Sequence, residues 1–378
     1  MAALSVIVYT FRDVLDDTGV CQMVNDRNFN TTGLHVPEVI QKNTDIECHW
    51  YLHDRIQGTQ VMLVSSPSKN YNALVFAGTD NMRSALTDAD IMTVPFGDGE
   101  STVLPPDLAI RVHAGFNHGV FLQNIFAQVL DHFHALQSKY PSHRLFTTGH
   151  SLGAAESILA AVALTMKQKE HKSRYRWWPW KRKKTVQPIT NINFGCPRIG
   201  NENWRAFVDD DSSVANLAIW RLVLGWDLVP RLPELFKHVG HTIELLKNSL
   251  ADESGSNATA VAYYQHYGDE SLGLAGVPFG WSAKPYIWVP GALWSHHVTK
   301  YWSVLNNWAN STMEHRAAWV SEFEKVDSSH NNSDDGRPRN VDDDFWVNPP
   351  DDDFQHRGDL LDSRLEQMIS DEPYRAVA

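Results

Sequence analysis

Apolar runs of two kinds alternate along this chain. Thr59-Gln60-Val61-Met62-Leu63-Val64-Ser65 and Asn72-Ala73-Leu74-Val75-Phe76 are β-leaning stretches separated by Pro67-Ser68-Lys69-Asn70, so together they predict a hairpin. Arg144 to Thr148, Thr190 to Phe194, Leu217 to Val223 and Val239 to Leu246 predict further strands. Between them, Leu122, Ile125, Phe126, Val129, Leu130, Phe133 and Leu136 fall at helical spacing and predict a helix that Pro141 ends. An Ala-rich run from Ala154 to Met166 predicts a second helix, Met82 to Ile91 a short one, and His296 through Trp319 a closing one. This alternation predicts a three-layer α/β domain on a mixed, mostly parallel sheet. Residues 1 to 55 predict an N-terminal helical cover, 56 to 325 the domain proper, and 326 to 378 a tail.

Charge sharpens that division. The net charge of −12 is unevenly placed. From Val326 onward there are fourteen acidic and five basic residues, and Asp342-Asp343-Asp344 and Asp351-Asp352-Asp353 with Pro349-Pro350 predict a disordered acidic tail. Lys167 to Lys184 carries nine Lys/Arg against one Glu, which marks 167 to 185 as a basic insert. With 43% hydrophobic residues among 378, the chain has enough apolar material for a large core. No apolar run reaches the roughly 18–20 residues of a membrane span. Met1 to Tyr9 is apolar, but it lacks a basic lead and runs into Arg12, Asp13, Asp16 and Asp17, unlike a signal peptide. Three widely spaced cysteines (Cys21, Cys48, Cys196) do not read as a disulfide framework, and the expectation is a reducing, cytoplasmic setting.

One stretch carries chemistry. Phe146-Thr147-Thr148-Gly149-His150-Ser151-Leu152-Gly153 reads as strand, tight turn and helix, with Ser151 inside G-x-S-x-G. On such a turn only small residues fit around the serine, and its hydroxyl stands clear at the strand end. Alone the pattern is weak, and the rest of the chain must supply a base, an acid and an oxyanion hole. Asp227 follows an apolar strand and precedes Leu228-Val229-Pro230, which suits the acid as well as it suits an ordinary turn aspartate. His296 and His297, with Tyr301 in the same run, are the candidates for the base. His238 and His241 follow Asp227 too soon. The amide of Leu152 and the amide and hydroxyl of Thr79, in the loop after an early strand, are candidate oxyanion donors. No HExxH occurs and the His and Cys spacings match no zinc site, so neither metal nor cofactor is expected.

At this point the residues resemble the class 3 lipases, a family typified by secreted fungal triacylglycerol lipases and their intracellular relatives. The resemblance covers roughly residues 54 to 305. Val75-Phe76-Ala77-Gly78-Thr79 resembles the family's oxyanion stretch, Val112-His113-Ala114-Gly115-Phe116 its V-H-x-G-F, and Thr148 to Gly153 its nucleophile motif. Phe194 to Asn201 resembles G-x-P-R-x-G, Asp227 to Pro233 resembles D-x-V-P-x-L-P, and His238-Val239-Gly240 resembles H-x-G. The resemblance implies an α/β-hydrolase fold, with Ser151 as nucleophile, Asp227 as acid and His296 (alternatively His297) as base. It implies Thr79 and Leu152 at the oxyanion hole, Asp88 orienting the oxyanion hydroxyl, and a lid helix over about Asn81 to Ile91. Two departures stand out: Ala77 replaces the usual arginine, and Ala154 replaces a second glycine after the elbow.

The implied activity is hydrolysis of acylglycerol esters, with phospholipase A1 or mono/diacylglycerol lipase as the alternative and an inactive lipase-like scaffold as the non-enzyme alternative. In the insert, Trp177, Trp178, Trp180, Lys181, Arg182, Lys183 and Lys184 interleave aromatics and cations, a composition that suits a lipid surface. A solvated loop explains it equally well. The expected partners are a lipid ester substrate and, peripherally, a lipid droplet or anionic membrane, with no nucleic acid. Phe279, Trp281, Tyr286, Trp288 and Trp294 are candidates for an acyl groove or for core packing.

Overall fold

The structure, a computed structural model, describes residues 1–11, 14, 17–26, 45–78, 92–99, 104, 108–174, 186–209, 214, 216–224, 227–233, 235–247, 259–265 and 296–309. Thr79, Asp88, the expected lid, the Trp-rich part of the insert, the aromatic region and the acidic tail lie outside those residues. The chain divides into two compact units, 1–244 with 263–302 and 245–262 with 303–378. All the site residues discussed below belong to the first.

Helix α1 (Ala2–Tyr9) and the short α2 (Val20–Asn25) open the chain. Strands β1 (Glu47–Asp54), β2 (Thr59–Ser66) and β3 (Tyr71–Phe76) follow as an antiparallel set. A small two-stranded sheet comes next, β4 (Thr93–Pro95) on β5 (Arg111–His113). Then come α3 (Ala114–Phe121), α4 (Ile125–Lys139), β6 (Arg144–His150), α5 (Leu152–Arg174) and β7 (Ile189–Phe194). The remaining elements are α6 (Glu202–Asp209), β8 (Leu217–Leu224), β9 (His241–Lys247), β10 (Thr259–Gln265) and α7 (Val298–Ala309).

The main sheet has the order β1-β2-β3-β6-β7-β8-β9-β10. Its centre, β3-β6-β7-β8, is parallel. Strands β2 and β3 are buried at every position, and for that reason they read as apolar runs. The parallel register aligns Phe76 with Gly149 and His150 with Phe194. The carboxyl ends of β3, β6, β7 and β8 therefore share one edge of the sheet, the edge at which open α/β sheets bind ligands. Helix α5 lies against β6, β7 and β3. Ala154, Ala155, Ala160, Ala161 and Ala163 on it are all 0% exposed, and these small side chains allow the close approach.

Several expectations change. Glu47–Asp54, within the stretch expected to be helical cover, is a strand of the main sheet. The helix expected from Leu122 begins at Ile125 instead. Gln123 (φ 54°) and Asn124 (φ 58°) adopt left-handed backbone and break the run, leaving Leu122 exposed. The cysteine count also misleads. Helix α2 packs on β1 and brings the Cα atoms of Cys21 and Cys48 to 4.9 Å, and the two form a disulfide. Asn25 completes that contact by accepting from the Cys48 amide (2.7 Å) and donating to its carbonyl (3.0 Å). Helix α1 is apolar all round and accordingly buried from Ala2 through Val8, against β6, β3 and β2. Among the described residues no helix is long and apolar enough to cross a membrane.

Candidate active site

The nucleophile motif folds as its glycines require. Strand β6 ends at His150, and Ser151 turns the chain into α5 with φ 60°, a left-handed conformation that is strained for a serine. The Ser151 amide donates to the Phe194 carbonyl at 3.0 Å, which fixes the turn against the end of β7. A Cβ on Gly149 would lie 2.3 Å from the Gly153 carbonyl oxygen, and one on Gly153 would lie 2.5 Å from that of Phe76. Only glycine lets the turn close on itself and α5 reach β3. Gly78, just past β3, is equally confined: its Cβ would meet the Tyr9 hydroxyl at 2.2 Å and the Ser151 Cβ at 2.9 Å. Leu152 opens α5, where the first amides of a helix have no intrahelical partner and point at an incoming anion.

The acid and the base meet beside this turn. Asp227 lies just past β8 and is 0% exposed. Its Oδ1 accepts from the Val229 amide at 2.9 Å. Its Oδ2 accepts from His296 Nδ1 at 2.7 Å and from the Tyr301 hydroxyl at 2.5 Å. Tyr301 is held in turn by the Leu224 amide, which donates to its oxygen at 3.0 Å. The pair closes over Gly195 (φ 60°), where a Cβ would sit 2.9 Å from both Asp227 Oδ2 and His296 Cε1. With Nδ1 donating to the carboxylate, His296 presents Nε2 as a lone pair. That atom is buried and has no hydrogen-bond partner among the described residues. His297 is exposed, with Nδ1 against the Thr299 hydroxyl at 3.2 Å.

The structure thus joins Asp227 to His296 directly and sets Ser151 beside them through its neighbour His150, whose ring centroid is 4.5 Å from that of His296. The Ser151 hydroxyl is not bonded to His296 Nε2 here, as is common before substrate is bound. Chemically, a bare imidazole nitrogen backed by a buried carboxylate is a proton acceptor. Thr79 and Asp88 lie outside the described residues, so Leu152 is the one expected oxyanion donor with a described position. Residues not anticipated as part of the site are Tyr9, which bonds His150 at 2.9 Å, and His150 itself. His150 lies within the G-x-S-x-G stretch, but no local signal links it to Tyr9. Among the described residues no group of three or more His, Cys, Asp or Glu side chains is placed to hold a metal ion.

Comparison with known proteins shows what the chain is similar to. Residues 73–237 match the family described as Lipase (class 3). The chain is 27% identical over 199 residues to the lipase of Rhizomucor miehei, an alignment covering 51% of this chain and 47% of that protein. It is 38% identical over 99 residues to phospholipase A1-IIalpha of Arabidopsis thaliana, covering 26% and 21% respectively. The chain spans less than half the length of these curated relatives. A solved structure of Rhizomucor miehei triacylglyceride lipase is 21% identical, with a TM-score of 0.46, and the match covers 70% of this chain and 83% of that one. Strands β6, β7 and β8, most of β3, and with them Gly78, Ser151 and Asp227, fall inside residues 73–237, the segment of this chain that is similar to the class 3 lipases.

Proposed function

We propose that this chain hydrolyses carboxylic esters of lipids through Ser151, His296 and Asp227. The observation that carries the proposal is the buried Asp227–His296 pair with Nε2 left bare, beside a serine on a left-handed turn. In the first half-reaction Ser151 Oγ attacks the ester carbonyl carbon while His296 Nε2 takes its proton. The Leu152 amide, with Thr79, stabilises the oxyanion. Asp227 steadies the imidazolium, which then protonates the departing alcohol and leaves an acyl-Ser151. In the second half His296 removes a proton from water, which attacks the acyl carbonyl. The tetrahedral intermediate collapses to free the fatty acid, and the proton returns to Ser151.

Acylglycerols are the proposed substrates. The similarity to phospholipase A1-IIalpha of Arabidopsis thaliana supports a second reading, a phospholipid as the ester hydrolysed. Mono- and diacylglycerols are the remaining substrate class, and an inactive scaffold is the non-enzyme alternative. Ser151 and Asp227 are both 0% exposed, which supports a closed site that opens before substrate enters, with about 81 to 91 as the proposed lid. The Trp/Lys/Arg insert is proposed to dock the enzyme on an anionic lipid surface; neutralising its cations should then lower sedimentation with anionic vesicles, and unchanged sedimentation contradicts docking. The Cys21–Cys48 disulfide supports work in an oxidising compartment rather than the cytoplasm.

The test is hydrolysis of p-nitrophenyl esters of graded acyl length, and of triacylglycerol and phosphatidylcholine emulsions, by wild type and Ser151→Ala. Wild-type activity lost in Ser151→Ala is expected. Equal activity in both removes Ser151 from the mechanism, and none in either leaves the scaffold.

A further inference from the structure

His150 occupies the position immediately before Ser151, is only 4% exposed, and both of its ring nitrogens are engaged. Nε2 lies 2.6 Å from the backbone carbonyl oxygen of His296. A carbonyl only accepts, so Nε2 carries the proton and donates it. Nδ1 is therefore a lone pair, and the Tyr9 hydroxyl, 2.9 Å away at the end of α1, donates to it. The ring is tilted by 34° against that of His296 and meets Tyr301 edge-on at 5.8 Å. Its surroundings keep it neutral: burial holds its pKa well below the usual imidazole range, and the imidazoles of His296 and His297 push the same way, against the opposing pull of the His296 carbonyl.

His296 is thus fixed from two sides. Its side chain is bound to Asp227 at the end of β8, and its main chain is bound to His150 at the end of β6. Residues 266–295, which lead to His296, lie outside the described residues. Within the described structure the His150 ring is what ties its main chain to the strand that carries Ser151. We infer that His150, set in one tautomer by the His296 carbonyl and steadied at Nδ1 by Tyr9, is a positioning residue that sets His296 against Ser151 by holding the His296 main chain. This deepens the proposed function and rests on it. Neither His150 nor Tyr9 need touch substrate. Their effect is on the alignment of Oγ and Nε2, a geometry in which a misplacement of about 1 Å costs on the order of 100-fold in rate.

Three variants and one spectrum test the inference. In Tyr9→Phe the Nδ1 acceptor loses its donor, the ring is held at one nitrogen only, and kcat on a soluble p-nitrophenyl ester should fall several-fold with KM unchanged. In His150→Leu the tether is gone and kcat should fall by about tenfold or more. His150→Gln, whose side-chain amide can still donate to the His296 carbonyl, should recover part of that loss. A residue that served packing alone would give no such rescue and no split between kcat and KM. Imidazole 15N spectra of the Ser151→Ala protein should show His150 neutral with the proton on Nε2, and Tyr9→Phe in that background should keep that tautomer while shifting the Nδ1 resonance, which loses its hydrogen bond. His150→Leu that folds with wild-type kcat overturns the inference, as does a His150 with its proton on Nδ1 or with both nitrogens protonated at neutral pH. The spectra need no turnover, so they decide on the tether even if His150→Leu fails to fold. If the wild type cleaves no ester the proposed function fails, while the spectra still report separately on the tautomer.

Discussion

Glu156 gives the structure a pH-dependent stability of predictable sign. It lies on α5, is 1% exposed, and receives one hydrogen bond, from the Thr59 hydroxyl to Oε1 at 3.2 Å; Oε2 has no partner among the described residues. Burial pushes its pKa up to about 8, and the Thr59 bond opposes this only in part. The carboxyl is therefore protonated in the folded protein at neutral pH, whereas in the unfolded chain it ionises near pH 4.3. Between those values the folded state holds one proton more than the unfolded state. The associated stability is complete below the unfolded pKa and is lost as pH rises, by about 1.4 kcal/mol per pH unit, until the folded pKa is reached. From about pH 5 to pH 8 the loss is on the order of 4 kcal/mol. Glu156→Gln keeps the shape and loses the titration. Urea denaturation of both proteins followed by tryptophan fluorescence at about pH 5, 6.5 and 8 should show the variant gaining on wild type as pH rises. His150, with its lowered pKa, acts in the opposite direction, losing stability as pH falls below its unfolded value, but it is common to both proteins and cancels in the difference. A difference constant to within about 0.5 kcal/mol across that range would mean that folding does not perturb Glu156, and would refute the reasoning.

Other variants probe other parts of the structure. Gly153→Ala puts a Cβ 2.5–2.6 Å from the backbone of Phe76 and Ala77, so it should destabilise by about 3 kcal/mol or more in a denaturation midpoint. Gly19→Ala, whose nearest neighbour is the flexible tip of Met23 at 3.7 Å, should be near neutral, and similar losses in the two would contradict the packing argument. Tyr301→Phe strips Asp227 of one donor and leaves the buried Leu224 amide unpaired, which should cost about 1.5–3 kcal/mol of stability and lower kcat against a soluble ester. Cys21→Ser opens a bridge between residues 27 apart, worth about 3.5 kcal/mol by loop entropy. Non-reducing peptide mapping should recover the Cys21–Cys48 pair from protein made in an oxidising compartment, and alkylation of both thiols without reductant contradicts it.

The parts of the fold legible in the sequence are those whose environment is uniform along an element. Strands β2 and β3 are buried at every position, so Thr59 to Ser65 and Asn72 to Phe76 already mark them, and Ala154 to Met166 marks the helix that must approach them closely. Strand β1 is half-exposed and mixes Glu47, His49 and Asp54 with Trp50 and Tyr51, so neither period shows. The break before α4 depends on two left-handed residues, Gln123 and Asn124, which leave no trace in the apolar spacing. At the site, Ser151 and Asp227 are legible because strand-end positions carry compositional signals, small residues for the one and a proline-containing turn for the other. Composition alone does not separate His296 from His297, and the preference for His296 comes from the resemblance; the backbone turns that ring inward and the other to solvent. Tyr9 and His150 are 141 residues apart, and only the burial of α1 against the sheet brings them together.

The join between α2 and β1 has a consequence for how the protein behaves among its own copies. Strand β1 ends the order of the main sheet, and a sheet's last strand offers unpaired amides and carbonyls to any passing chain. At Cys48 both groups are already occupied by the Asn25 side chain, and the disulfide keeps α2 against the strand. The bridge therefore guards against edge-to-edge aggregation as well as stabilising the fold. Reduction should make the protein self-associate at concentrations where the oxidised form stays monodisperse in light scattering.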